Sequence, residues 1–310
     1  MNSKDFLYKV KSNPYIKGPL FQVLILVTFL TRWGSQGSGN GQFQGPADIA
    51  VDSERCVYVT DSGNRRVQKF TPDGTFLLGW TVDGAPLVHP RGISIYNDVF
   101  VLDWNNGRVL VFDQDGRLIR TWGSQGTGNG ELFTPADIDF DSQGYVYITT
   151  NNRVQVYDQL GNFIRAWGSY GTGNEQFQAA FGLAIDSQDK VYVLEAGGNP
   201  RVQKFASDGT FITTWGSQGT GNGQFYNPFD IAVGPNDILY VSDQSNYRIQ
   251  QFASDGTFIT TWGSQGTGNG QFEDVLGIAI GEVPAPRIWQ ERIRIYVVDG
   301  VNNCIQAFEP

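Results

Sequence analysis

An all-β fold, a six-bladed propeller of four-stranded blades, is what this sequence predicts, on three observations. The first is composition: of 310 residues 40% are hydrophobic and 14% aromatic, only 17% are charged, and 39 are Gly against 13 Pro. Short apolar runs rich in Val, Ile, Tyr and Phe suit a pleated, packed surface, and Gly supplies the turns. The second is a Gly-rich polar stretch, WGSQGTGNGQF, which stands at Trp215 and Trp262 and returns with small changes at Trp33, Trp122 and Trp167. The third is a period. Trp33, Trp80, Trp122, Trp167, Trp215 and Trp262 are separated by 47, 42, 45, 48 and 47 residues, a repeat of propeller-blade length.

Each repeat carries four strand signals. In the first they are Asp48 to Val51, Cys56 to Thr60, Arg66 to Phe70 and Thr75 to Trp80, with the turn sequence PDG before the last. The third strand type occurs six times, as RVQKF, RVLVF, RVQVY, RVQKF, RIQQF and CIQAF. The fourth follows only five of these, because the chain stops at Pro310; its sixth copy is FLTRW, Phe29 to Trp33. The N-terminal strand is therefore expected to complete the C-terminal blade and close the ring, which removes open sheet edges.

Residues 24–310 are accordingly assigned to the propeller and 1–23 to a tail or a signal or anchor segment. Lys4, Lys9, Lys11 and Lys17 precede the apolar run Leu20 to Leu30, a basic-then-apolar order that leans toward an extracytoplasmic location. The run is short for a bilayer span, and membrane contact is expected only if it is an anchor. Cleavage after Leu30 would remove much of the outer strand of blade six, so an uncleaved segment is expected.

The recurring order of Pro, Asp or Gly, Ile, Ala, Val, then VYV, Asp, Asn, Arg, Val or Ile, Gln and Phe resembles the NHL repeat, and the resemblance covers residues 29 to 310. It implies a six-bladed propeller that binds proteins, peptides or RNA, with a few enzymatic members. It implies fold far better than function.

Asn64, Asn106, Asn151, Asn199, Asn246 and Asn302 stand between second and third strands, followed by Arg66, Arg108, Arg153, Arg201 and Arg248, with Cys304 sixth. Asn is expected to cap a tight turn and Arg to pair with an acid such as Asp61 or Asp243. Blade three has Thr150 where the acid belongs, which leaves Arg153 as the arginine expected to be open to a ligand.

Just before the first strands stand PAD, PRG, PAD, AFG, PFD and VLG. Asp48, Asp137 and Asp230 thus alternate with Gly92, Gly182 and Gly277 around the expected channel mouth. Each Asp is expected to accept backbone N–H bonds in its own loop; the alternative is a divalent cation such as calcium held by all three. The preceding residues, Arg91, Phe181, Phe229 and Leu276, with Tyr226, Tyr247 and Trp104, are the candidate ligand contacts on the face where the linkers emerge. Blade two lacks the Gly-rich linker and carries the lone histidine, His89. Blade six carries an insertion, Glu282 to Ile293, in which Arg287, Trp289 and Arg292 are possible partner contacts. Cys56 and Cys304 are expected near opposite faces and unpaired.

Net charge is -9, and the arginines are accompanied by acids, so nucleic acid is a disfavoured partner. One histidine excludes a multi-histidine metal site, and no catalytic triad or phosphate loop is present. The expectation is a monomeric, non-catalytic recognition scaffold without a cofactor that binds a protein, peptide or glycan on the linker face. The alternatives are a lactonase-like, metal-dependent propeller hydrolase and an RNA-binding NHL module.

Overall fold

The computed structural model describes residues 27–81, 87–283 and 292–310. Six four-stranded antiparallel sheets stand around a channel, each with its first strand innermost. Blade one is Pro46–Val51, Val57–Asp61, Arg66–Phe70 and Phe76–Trp80, so its inner strand begins two residues before the stretch expected from sequence. Blade six is built from Val275–Val283, Arg292–Asp299 and Cys304–Glu309, with Thr28–Trp33 paired antiparallel to the last of these. Trp289 and Arg287 of the insertion, and the tail up to residue 26, lie outside the described residues. Cys56 and Cys304 are free thiols, the second buried.

The apolar cores lie between blades. One cluster takes Tyr58, Val67 and Trp80 from blade one and Ile93, Val101 and Phe112 from blade two, and the other seams repeat this scheme. Alternation along a strand explains it, since a blade buried on both faces offers successive side chains to its two neighbours. The closing Trp belongs to these seams. A Cβ at Gly74, whose φ is +85°, would stand 2.4 Å from the Trp33 ring of the preceding blade. The Gly of the PDG turn is therefore required by both backbone angle and close packing.

The Gly-rich linker is tied down from below. Phe43, fully buried, anchors its end, and the Phe43 N–H donates to the Ser35 carbonyl at 2.8 Å. Arg66 donates to the carbonyls of Ser38, Gly39 and Gln42 at 2.9, 2.7 and 2.8 Å, and through Nε to Asp61 at 2.8 Å. Asn64 and Gln68 donate to the same Asp61 oxygen at 2.9 and 3.0 Å. Blade five repeats the arrangement with Asp243, Asn246, Arg248 and Gln250. The repeated polar residues thus hold the linker. In blade two, where the linker is missing, fully buried Leu87 supplies the anchor.

Arg153 corrects an expectation. Its guanidinium donates to the Gly128 carbonyl and, at 3.3 Å, to Asn129 Oδ1. Lacking an acid in its own repeat, it still grips the linker as its counterparts do, because the linker carbonyls themselves are acceptors.

Candidate functional site

Second strands end, and linkers arrive, at one face of the ring, and the inner strands begin there with a bulge. In blade two Pro90 pairs with Asp103 and Ile93 with Val101, leaving Arg91 and Gly92 as the irregular pair. Blade four does the same at Phe181 and Gly182, and blade six at Leu276 and Gly277. A bulge re-aims the side chain it carries. Here it turns Arg91 and Phe181 over the channel mouth.

Arg91 reaches across that mouth. Its guanidinium lies 4.2 Å from the centroid of Phe181, 5.1 Å from Phe229 and 5.5 Å from Trp104. Phe181 and Phe229 meet edge to face at 5.4 Å, and the His89 ring lies 5.4 Å from Trp104. Four of the expected contacts, with His89, are therefore brought together from blades two, four and five. Among the described residues none forms a hydrogen bond or ion pair with the Arg91 guanidinium. Burial pulls the Arg91 pKa below its usual value, while Asp48, Asp137 and Asp230 oppose the shift. Burial and the Arg91 charge also lower the pKa of His89, which favours its neutral form.

The three carboxylates lie at the top of the channel, and each bridges two blades. Asp48 accepts the N–H of Ile49 at 2.8 Å on one oxygen and that of Ile93 in the next blade at 2.9 Å on the other. Asp137 does so with Ile138 and Leu183 at 2.7 and 2.6 Å, and Asp230 with Ile231 and Ile278 at 2.7 and 2.8 Å. The bonds thus run to the neighbouring blade as well as within the residue's own loop. The alternating Gly has a steric cause: a Cβ at Gly277 would stand 2.4 Å from Asp48 Oδ1, and one at Gly182 3.0 Å from the Asp230 backbone.

A second alternation accompanies the first. Thr60 accepts the Asp48 N–H and donates to the Arg91 carbonyl, and Thr149 accepts the Asp137 N–H and donates to the Phe181 carbonyl. Ser242 occupies the same place in blade five, whereas Leu102, Leu194 and Val298 stand there in the Gly-bearing blades. The inner ring is built from blade pairs. This signal was present in VYVTD, VYITT and LYVSD against VFVLD and VYVLE, and sequence reasoning missed it.

Burial raises the pKa of all three carboxyls. Asp48 is pushed well up by burial and then by the charge of Asp230, Asp137 by burial and then by Asp230 and Asp48, and Asp230 to about 6 by burial. A fourth carboxylate, Asp139, lies deeper in the channel and was also missed, although PADIDF departs visibly from PADIAV. It accepts N–H bonds from Phe140 and Ile185 at 2.9 and 2.8 Å, and burial pushes it to about 7. The channel, a cavity of about 280 Å³, is lined by these four carboxylates together with aliphatic residues such as Val51, Ile95, Ile185 and Val233. Among the described residues no group of three or more acid, His or Cys side chains is arranged to hold a metal ion.

Beside Arg91 a recess of about 400 Å³ opens on the linker face, lined by Ala47, His89, Phe229, Gln244, Asp274, Leu276 and Val301 among others. Leu276 is a correction: it is buried in the cluster between blades six and one and contributes only an edge to the recess. Tyr226 and Tyr247 are further corrections, since neither joins the aromatic group at the mouth. Tyr226 is half exposed on a separate hollow with Pro200 and Asn227, and Tyr247 closes the corner turn of blade five at φ 55°.

Comparison with known proteins agrees with this architecture. The NHL repeat model matches residues 43–70 and a model described as a 6-bladed beta-propeller matches 73–150. The chain is 23% identical over 124 residues to Protein brain tumor of Drosophila melanogaster, covering 38% of this chain and 12% of that protein. It is 26% identical over 134 residues to the mouse E3 ubiquitin-protein ligase TRIM32, covering 36% of this chain and 20% of that protein. The chain therefore matches only a small part of either relative's length. Among solved structures, a gluconolactonase from Xanthomonas campestris superposes with a TM-score of 0.62 at 17% identity, over 87% of this chain and 88% of its own; at that identity the likeness is one of fold. Repeat pattern, family models and six-blade architecture agree: the chain is a six-bladed β-propeller that carries an NHL-repeat match at residues 43–70.

Proposed function

We propose that this propeller is a non-catalytic recognition module that binds a protein or peptide at the centre of its linker face. One observation carries the reading. Arg91 is held over the channel mouth by Phe181, Phe229 and Trp104, beside an open recess, with no hydrogen-bonding partner among the described residues for its guanidinium. Aromatic and arginine side chains gathered at a concave centre are the usual anchors of a protein interface. The sequence similarity to Protein brain tumor and TRIM32 supports the module type. A glycan is the weaker candidate, because it would leave the guanidinium charge unmatched.

The chemistry of the mouth supports binding over catalysis. His89 is held toward its neutral form against Trp104, and the carboxylates of Asp48, Asp137 and Asp230 already accept two backbone N–H bonds each. Those bonds tie each carboxylate to the neighbouring blade, a structural task. The test is selection from a random peptide library. Winners are expected to lose binding to Phe181→Ser and to Val301→Asp, at the recess rim, and to keep it for Leu160→Asp on the opposite face. Winners indifferent to both linker-face changes would contradict the proposal.

A further inference from the structure

We infer that the recess beside Arg91 is a carboxylate-recognition site for a peptide: the Arg91 guanidinium takes the carboxylate, and Asp274 on the facing wall takes an N–H of the same peptide. This rests on the recognition reading above and supplies its ligand chemistry.

A guanidinium presents five N–H donors in its plane. The Arg91 guanidinium lies 4.2, 5.1 and 5.5 Å from the ring centroids of Phe181, Phe229 and Trp104, and among the described residues its donors meet no hydrogen-bond acceptor. Arg66, Arg153 and Arg248 direct theirs to carboxylates or linker carbonyls. No hydrogen bond joins Arg91 to the carboxylates below it, whose oxygens accept backbone N–H groups of Ile93, Leu183 and Ile278. The planar fork matches a carboxylate with two parallel bonds.

Asp274 is the complement. Its Oδ1 accepts from Gln244 Nε2 at 2.6 Å, and among the described residues its Oδ2 accepts no hydrogen bond. Burial raises its pKa, and a donor placed on Oδ2 would stabilise the carboxylate against that burial. Between the two, Ala47 and Phe229 give an apolar floor with Leu276 at its edge, and about 400 Å³ is a common ligand volume. A peptide carries a carboxylate, N–H donors and apolar side chains together. A nucleic acid would need several cations in a row for successive phosphates, and here one cation stands among Asp48, Asp137, Asp230 and Asp274.

The carboxylate has two sources, a C-terminus or an acidic side chain, and four short probes separate them: N-acetyl-Gly-Phe with a free or an amidated C-terminus, and N-acetyl-Phe-Glu-amide against N-acetyl-Phe-Gln-amide. Binding is followed by the ¹⁵Nε–H signal of Arg91, identified by its loss in Arg91→Lys. At least one carboxylate probe is expected to shift that signal and to bind about tenfold more tightly than its amide partner. Arg91→Met is expected to abolish the preference, and Asp274→Asn to weaken binding while the preference remains. Circular dichroism and melting confirm that each variant is folded.

Equal binding of acid and amide, a preference that survives in Arg91→Met, or no binding at millimolar probe would overturn the inference. A phosphate oligomer that outcompetes the peptides would overturn it in favour of a nucleic acid. Library peptides that need the linker face without preferring a carboxylate would sink this inference and leave the recognition reading standing.

Discussion

The guanidinium of Arg91 on blade two lies 4.2 Å from the centre of the Phe181 ring on blade four, so one side chain spans the mouth of the channel. A desolvated cation over an aromatic face is stabilised by about 2 kcal/mol, enough to hold this side chain in place. The same cation lies near three carboxyls that burial drives toward protonation.

The inner ring is predicted to depend on the alternation of Asp and Gly. Gly277→Ala brings a Cβ within 2.6 Å of the Asp48 backbone, and overpacking of that kind costs about 1–3 kcal/mol. Gly79 in an outer strand meets nothing closer than 3.4 Å, so Gly79→Ala is expected within about 0.5 kcal/mol of wild type. Denaturant melts of the two variants check the contrast.

The clamp on the linker is predicted to be unequal between blades. Arg66→Ala strands the fully buried Asp61 carboxylate without its ion-pair partner, a loss of about 3 kcal/mol. Arg153→Ala removes only bonds to the linker at an exposed position, about 1 kcal/mol. Equal losses in chemical denaturation would show that the acid partner contributes nothing.

Stability is predicted to fall as pH rises from about 4 to 7. Burial pushes folded Asp139 to about 7, whereas an unfolded aspartate titrates near 3.9. Across that window the folded state holds more protons than the unfolded one, so its advantage is complete below the lower value and is lost as pH rises through the upper one. Ser94, Asp230 and the N–H groups of Phe140 and Ile185 are the groups that act on it. Asp139→Asn is expected to flatten the slope of melting temperature against pH. An unchanged slope would assign the effect to other groups, such as Glu195, which burial also pushes to about 7.

Calcium is predicted to leave the melting temperature unchanged, and so is a chelator. Each of the three channel-mouth carboxylates accepts two N–H bonds, and Arg91 supplies a positive charge above them. A calcium-dependent rise in melting temperature would revive the channel cation.

Much of the architecture was legible because it is written in repetition. The Trp period, the turn before each outer strand and the count of RVQKF-like strands lead to six blades without any tertiary information. Much of the mouth was not legible, because a bulge has no such signature. The same bulge carries Arg91, Phe181 and Leu276, yet Leu276 sinks into the core between blades six and one, a difference that the repeat pattern does not announce. Arg153 was misread for a related reason: its partners are backbone carbonyls of the linker, and carbonyl acceptors leave no trace in residue type. Asp139 was visible as a single departure from a regular pattern, but its depth in the channel required the structure.

The central claim is that the partner sits on the linker face at the channel mouth, and site-directed photocrosslinking tests it most directly. A benzoylphenylalanine at Val301, 62% exposed on the rim of the recess, is compared with one at Leu160, 69% exposed on the opposite face. The account predicts that a peptide selected by the wild-type protein crosslinks at Val301 and is released by Phe181→Ser. Crosslinking at Leu160 alone, unaffected by Phe181→Ser, would contradict it.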